Sequence, residues 1–141
     1  MSEKDFSKKH SPDRKVKEAV AAEVKARVQD GELPCAVAFS IAEETKVPPE
    51  EVGFTLDVLG IRVIKCQLGL YGYKPNKRIV KSAERVSPDL EKAIRASLKN
   101  GRLACAVAWE IAARFGLRRM EVSSACEALG IKISACQLGS F

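Results

Sequence analysis

The chain has 141 residues, of which 46% are hydrophobic, and a formal net charge of +6. This composition is typical of a globular protein with one ordinary domain or two very small ones, and it excludes a mostly disordered chain. No apolar run approaches the roughly 18 residues that a transmembrane helix needs, and the polar N-terminus lacks the apolar core of a signal peptide. We therefore predict a cytoplasmic protein without membrane contact. The excess positive charge is typical of proteins that bind either a polyanionic partner or a membrane surface, and of these two we predict a polyanionic partner.

The chain repeats itself after 70 residues, and 17 of the 39 aligned positions between Gly31 and Gly69 are identical in the second copy. An internal repeat predicts one folding unit used twice, and two such copies tend to pack as a pseudo-dimer. The predicted organisation is a disordered tail at residues 1–10, a first repeat at 11–72, a basic linker at 73–86 and a second repeat at 87–141.

Each copy is predicted to contain three helices followed by a short strand. The first helix begins at Ser-Pro-Asp, at Ser11 and again at Ser87, because Ser caps helices and Pro suits the first helical position. It ends before Gly31 or Gly101, since Gly accepts the left-handed conformation at helix ends. The second and third helices are predicted at about 34–45 and 49–59, and again at 104–115 and 119–129. The β-branched segments at 61–64 and 131–134 are predicted strands.

The spacing of Ile111, Ala112, Gly116, Leu117 and Val122 resembles that of helix-turn-helix DNA-binding domains. Small Ala112 would allow a close helix crossing, Gly116 would supply a positive φ in the turn, and the other three would fill the interior. The first copy keeps this pattern, with Lys46 at the position of Gly116. The resemblance implies a mainly α fold of two tandem helix-turn-helix repeats, and the strand after each third helix resembles the beginning of a wing.

The third helix of the second copy begins with Arg118 and Arg119, where helix-turn-helix proteins read the DNA major groove. Arg suits guanine edges and phosphates, and Ser123 and Ser124 lie further along the helix. The first copy has Pro-Pro-Glu-Glu at the matching place, at residues 48–51. In the basic linker, the predicted phosphate contacts are Lys77, Arg78 and Lys81. The alternative is that all these charges are simply solvated.

Four cysteines recur in register, namely Cys35, Cys66, Cys105 and Cys136. Four thiolates suit zinc or an iron–sulfur cluster, but the sequence lacks the closely spaced pairs of typical metal sites. Buried packing is the simplest interpretation, because free Cys behaves as a small hydrophobe. Redox sensing is a third interpretation, and no cofactor is predicted.

No nucleophile–base pair and no phosphate-binding loop is recognisable, so the protein is predicted not to be an enzyme. We expect a regulator of transcription that binds double-stranded DNA through the second repeat and the linker. The first repeat would then be free to form a homodimer or to bind a protein partner. The alternative is a non-catalytic module for protein interaction, small-ligand binding or metal sensing.

Overall fold

The computed structural model describes residues 14–74 and 77–140. This part of the chain is mainly helical, with six helices and four strands of three residues each. The helices are α1 (Glu18–Arg27), α2 (Cys35–Thr45), α3 (Pro49–Leu59), α4 (Pro88–Ala96), α5 (Cys105–Phe115) and α6 (Arg119–Leu129). The strands are β1 (Glu32–Pro34), β2 (Arg62–Ile64), β3 (Arg102–Ala104) and β4 (Lys132–Ser134). None of the helices described is long and apolar enough to cross a membrane.

The second and third helices of each copy follow the predicted bounds to within one residue. Lys46 and Gly116 end α2 and α5 in the left-handed conformation, with φ of 57° and 66°. Glycine adopts this conformation at little cost, whereas at Lys46 it costs free energy. Gly60 and Gly130 end α3 and α6 in the same way, each with a φ of 69°.

The first helices are shorter than predicted. Residues 14–17 are not helical, so α1 begins at Glu18, and the proposed cap at Ser11 lies outside the described residues. At α4 the prediction of the cap was right, because the Ser87 side chain accepts a hydrogen bond of 3.2 Å from the backbone N–H of Leu90. Both helices end before the Gly residues that were expected to terminate them, and Gly31 and Gly101 lie instead in the turns that precede two further strands.

These extra strands, β1 and β3, were not predicted. β1 pairs in parallel with β2, and β3 pairs in parallel with β4. The prediction of a wing was therefore wrong, because a wing is an antiparallel hairpin, whereas these strands pair in parallel across the two helices that lie between them. Each pair ties the start of the second helix to the end of the third. Leu33 of β1 and Leu103 of β3 are fully buried at these junctions.

The chain divides into two compact units that do not coincide with the two repeats. Unit 1 contains residues 14–66 together with Gln137–Ser140, and unit 2 contains Gln67–Cys136. The repeated Gln-Leu-Gly segment of each copy thus belongs to the unit built mainly from the other copy. Most of the predicted linker is part of unit 2, and residues 75 and 76 within it lie outside the description.

In unit 1, α1 packs on α2 and α3, and the core contains the fully buried side chains of Val20, Val24, Ile41 and Val52. The backbone of Leu138 lies against Gly53 in the middle of α3. A Cβ atom at Gly53 would lie 2.0 Å from the carbonyl oxygen of Leu138, so only glycine fits there. Leu138 is 3% exposed, which makes it the buried anchor of its segment.

In unit 2, α4 and α6 both pack on α5. The core of this unit contains the side chains of Ile94, Ile111 and Val122, which are at most 1% exposed. Leu68, the counterpart of Leu138, is fully buried. A Cβ atom at the adjacent Gly69 would lie 3.0 Å from the sulfur of Met120, so this segment passes closely over the first turn of α6.

Candidate functional site

The predicted nucleic-acid site centres on α6, whose N-terminus carries the two arginines. Arg118 is the residue before the helix, and its side chain is exposed. Its backbone N–H donates a hydrogen bond of 3.1 Å to Oε2 of Glu121, which satisfies one of the free donors at the helix start. The side chain of Arg118 makes no ion pair with any residue in the described ranges, so it is available to a partner.

Arg119 is held within unit 2. Its guanidinium lies over the ring of Trp109, with Cζ 3.5 Å from the ring centroid, and its Nη1 donates a hydrogen bond to Oε1 of Gln67. Stacking on an aromatic ring and a side-chain hydrogen bond each stabilise the folded protein. They offset the unfavourable effect of a cation at a helix N-terminus. Arg119 therefore has a structural role in this conformation.

The two serines of α6 differ in accessibility. Ser123 is 1% exposed, and its Oγ has no hydrogen-bond partner among the described residues. It occupies the position of Gly53 in the repeat, on the side of the helix that faces the interior. A side chain so deeply buried does not reach a DNA base, so we leave Ser123 out of the interface. Ser124 is half-buried, and its backbone carbonyl accepts a hydrogen bond of 3.0 Å from the N–H of Ala83.

That bond belongs to a covering segment, residues 77–86, which runs along α6 in unit 2. Arg78 forms an ion pair with Glu127, and Ala83 bonds the carbonyl of Ser124. Because a later residue of the segment meets an earlier residue of the helix, the two run antiparallel. The segment is anchored by Val80, which is 9% exposed and whose N–H donates to the carbonyl of Gly69.

A comparable contact is made in unit 1. Arg14, which also precedes the first helix of its repeat, lies over the ring of Phe54 on α3, with Cζ 3.8 Å from the centroid. It also pairs with Glu51 at 3.4 Å. In both units, residues that precede the first helix therefore contact the third helix and cover part of its surface.

The covering segment itself presents positive charge. Lys77, Lys81 and Arg85 are exposed, and none of them pairs with an acidic side chain in the parts of the chain that the structure describes. The antiparallel course takes Arg85 toward the N-terminal half of α6, where Arg118 lies. Arg78 is exposed too, but its charge is matched by Glu127. The open cations of this region are thus on the segment and at the helix tip.

The four recurring cysteines are divided equally. Unit 1 holds Cys35 and Cys66, which are 5% and 4% exposed, and unit 2 holds Cys105 and Cys136, of which Cys105 is 6% exposed and Cys136 is half-buried. None of the four forms a disulfide in the part of the chain that the structure describes. Among residues 14–74 and 77–140, no three Cys, His, Asp or Glu side chains gather into a group able to hold a metal ion. Zinc and iron–sulfur binding stay untested interpretations.

The fifth cysteine, Cys126, lies in the core of α6 and is 1% exposed. Burial raises the pKa of its thiol to about 11, and the neighbouring Glu127 carboxylate adds to this increase. A thiol with this pKa stays protonated at neutral pH and is a poor nucleophile.

Comparisons with protein-family models, with curated proteins and with solved structures found no match to this chain.

Proposed function

We propose that the protein binds double-stranded DNA through unit 2, without catalysis, and acts as a regulator of transcription. In this proposal α5 and α6 form a helix-turn-helix, and the contacts are mainly to phosphates. The observation that carries it is the course of the covering segment along α6. It gathers Lys81, Arg85 and Arg118 on the exposed surface of one unit, with no acidic partner among the described residues.

The physical argument is electrostatic. Unpaired Lys and Arg side chains on one surface release counterions when they neutralise phosphates, and this term supplies most of sequence-independent affinity. Direct contacts of α6 with DNA bases are limited in the proposed mode, because Arg119 is held by Trp109 and Gln67 and Ser123 is buried. Lys77 and Ser124 flank the surface, and Arg78 would reach a phosphate only by giving up Glu127. The contribution of direct base contacts is therefore smaller than in proteins that insert a bare helix.

Salt dependence tests this proposal. Binding of a fluorescent duplex of about 30 base pairs is measured by anisotropy over a series of salt concentrations. Each phosphate contact contributes close to one unit to the slope of log K against log salt, and loss of one contact lowers the slope by about one. Arg118→Glu and Lys81→Glu are each expected to weaken binding and to lower the slope.

Lys25→Glu is the matched control. Lys25 is an exposed lysine on α1 of unit 1, so this variant has the same change in net charge at a site outside the proposed surface. Equal losses in all three variants would show that only the net charge matters. Unchanged binding in Arg118→Glu and Lys81→Glu would refute the proposed surface.

The second candidate is a protein-interaction module. It is favoured by the partial coverage of α3 and α6, which removes helix surface from DNA, and by two exposed apolar side chains. Val58 on α3 is 43% exposed and Ile79 on the covering segment is 41% exposed. This candidate would be favoured if the protein bound no duplex at low salt and instead bound a protein partner through the surface around Val58 or Ile79. The partner would bind less tightly to Val58→Ser or Ile79→Ser.

A further inference from the structure

Unit 2 contains a groove of about 600 Å³ beside the turn that precedes β3. Lys99 and Arg102, the residues on either side of this turn, both line the groove, and both are exposed. Neither pairs with an acidic side chain within residues 14–74 and 77–140. The wall of the groove therefore carries two positive charges that no described residue neutralises.

The turn holds these two residues opposite each other. The N–H of Lys99 donates to the carbonyl of Arg102 at 2.9 Å, and the N–H of Arg102 donates to the carbonyl of Lys99 at 3.0 Å. Asn100 and Gly101 between them have φ of 52° and 75°, as in a tight type I′ turn. Residues that exchange both hydrogen bonds in this way carry their side chains on one face, with Cβ atoms roughly 5 Å apart.

Two cations at this distance repel each other. Like charges directly opposite in an antiparallel pair are destabilising, so the unliganded turn is less stable with this pair than with neutral side chains. An anion between Lys99 and Arg102 would accept charge-assisted hydrogen bonds from both and would reverse the repulsion. The planar guanidinium matches two phosphate oxygens, and the ammonium adds a compact charge. The pair is therefore arranged for one phosphate group.

The rest of the lining indicates what the phosphate is attached to. Ser97 and Ser134 contribute half-buried hydroxyl groups, which can donate and accept hydrogen bonds. Ala104 and Val107 contribute half-buried apolar surface, and no aromatic or acidic side chain is found among the described lining residues. A volume of about 600 Å³ lies within the range of small-ligand sites and exceeds what a bare phosphate fills. Hydroxyl partners without an aromatic stacking surface favour a sugar over a nucleobase.

Two helix ends meet the groove with opposite polarity. Ala104 precedes the N-terminus of α5, which is the positive end of that helix dipole, and Ser97 follows the C-terminus of α4, which is a negative end. These two contributions oppose each other, so the side chains of Lys99 and Arg102 set the charge of the groove.

Unit 1 provides an internal comparison, because it forms the same turn. Gln29 and Glu32 occupy the matching positions and exchange the same two hydrogen bonds, at 3.1 and 2.9 Å. One neutral and one acidic side chain thus replace the cation pair, and Ile64 replaces the hydroxyl of Ser134. The turn forms without two cations, so folding of the turn does not account for their presence in unit 2.

We propose that the groove of unit 2 binds a small sugar phosphate. The phosphate group lies between the Lys99 ammonium and the Arg102 guanidinium, which both donate to its oxygens, and the sugar hydroxyls face Ser97 and Ser134. This binding is independent of the DNA binding proposed above, because neither Lys81 nor Arg118 lines the groove.

The test is a titration of the isotope-labelled full-length protein, followed through the NMR shifts of its backbone amides. Glucose 6-phosphate and ribose 5-phosphate are the probes, and glucose and inorganic phosphate are the controls. With both sugar phosphates we expect saturable shifts centred on residues 97–102, and no comparable shifts at residues 27–32 in the matching turn of unit 1. Inorganic phosphate should bind at the same residues roughly tenfold more weakly, since the hydroxyl contacts are lost, and glucose should not bind.

Two variants separate recognition by the cation pair from general charge. Lys99→Gln and Arg102→Glu install the residues that the first copy carries in the same turn, so both should fold. We expect binding of glucose 6-phosphate to weaken roughly tenfold in Lys99→Gln, and further in Arg102→Glu, because a charged donor to the phosphate is removed. Lys92→Glu is the matched control, since Lys92 is an exposed residue of α4 in the same unit and does not line the groove. It should bind glucose 6-phosphate almost as the parent protein does.

Three results would overturn the proposal. The first is the absence of saturable shifts at residues 97–102 with both sugar phosphates, whether or not a DNA duplex shifts them. The second is equal affinity for inorganic phosphate and for the sugar phosphates, which would show that the groove recognises only an anion. The third is an equal loss of affinity in Arg102→Glu and Lys92→Glu, which would show that only the net charge matters.

Discussion

Replacement of Gly53 by alanine tests whether the C-terminal segment is docked on α3. In a helix interior without tertiary contacts, Gly→Ala stabilises by about 1 kcal/mol. At Gly53 the new Cβ would lie 2.0 Å from the carbonyl oxygen of Leu138, which is backbone and cannot move as a side chain does. The segment must then leave, and the loss of Leu138 burial costs about 2 kcal/mol. We expect a net destabilisation of about 1 kcal/mol.

The assay is urea unfolding followed by circular dichroism, in a cycle with a chain truncated after Cys136. Without the C-terminal segment there is nothing to displace, so Gly53→Ala should stabilise the truncated chain by about 1 kcal/mol. The effect of Gly53→Ala on the free energy of unfolding should therefore have opposite signs in the full-length and truncated chains. The difference, about 2 kcal/mol, is the coupling energy between Gly53 and the C-terminal segment. Stabilisation of the full-length chain by Gly53→Ala would refute the docked arrangement.

The remaining predictions concern unit 2. Ser123→Ala is expected to raise the free energy of unfolding by about 1 kcal/mol in urea titrations, because it removes a buried hydroxyl that has no partner within residues 14–74 and 77–140. A decrease of similar size would contradict this and indicate that the hydroxyl is hydrogen-bonded. Arg119→Ala should lower the free energy of unfolding by roughly 1 kcal/mol and shift the fluorescence of Trp109, since the stacking and the bond to Gln67 are both lost; an unchanged spectrum would contradict the stacking. The pKa of Cys126 is raised to about 11 by burial, so the folded state favours the protonated thiol. The stabilisation from this thiol should be complete below the unfolded-state pKa of 9.0 and should decline as the pH rises toward 11. Thermal unfolding as a function of pH measures this decline, which should be absent in Cys126→Ala.

Local patterns allowed α2, α3, α5 and α6 to be predicted from the sequence. Helical periodicity in the Cys-Ala-Val-Ala segments and a glycine at the end of each third helix are both short-range features, and the repeat doubled them. β1 could not be predicted in the same way. It has only three residues, one of them Pro34, and it is stabilised by a partner about thirty residues away. Interactions of this kind leave little trace in a window of neighbouring residues.

The candidate site was predictable only in part. The positive charge around α6 follows from composition, but the sequence does not show that Arg119 stacks on Trp109 ten positions earlier or bonds Gln67 in the other copy's segment. Ser123 was predicted to contact DNA because it lies further along the helix that begins with Arg118 and Arg119. Its counterpart Gly53 was the available indication of a buried close contact, since glycine within a helix interior often marks close backbone approach.

Lysine protection by DNA tests the proposed surface most directly. The protein is acetylated with and without a saturating duplex at low salt, and the rate at each lysine is measured by mass spectrometry. We expect slower acetylation of Lys77 and Lys81 in the complex, and unchanged rates at Lys15 and Lys25 of unit 1. Protection of the unit 1 lysines, with Lys77 and Lys81 as reactive as in the free protein, would contradict it.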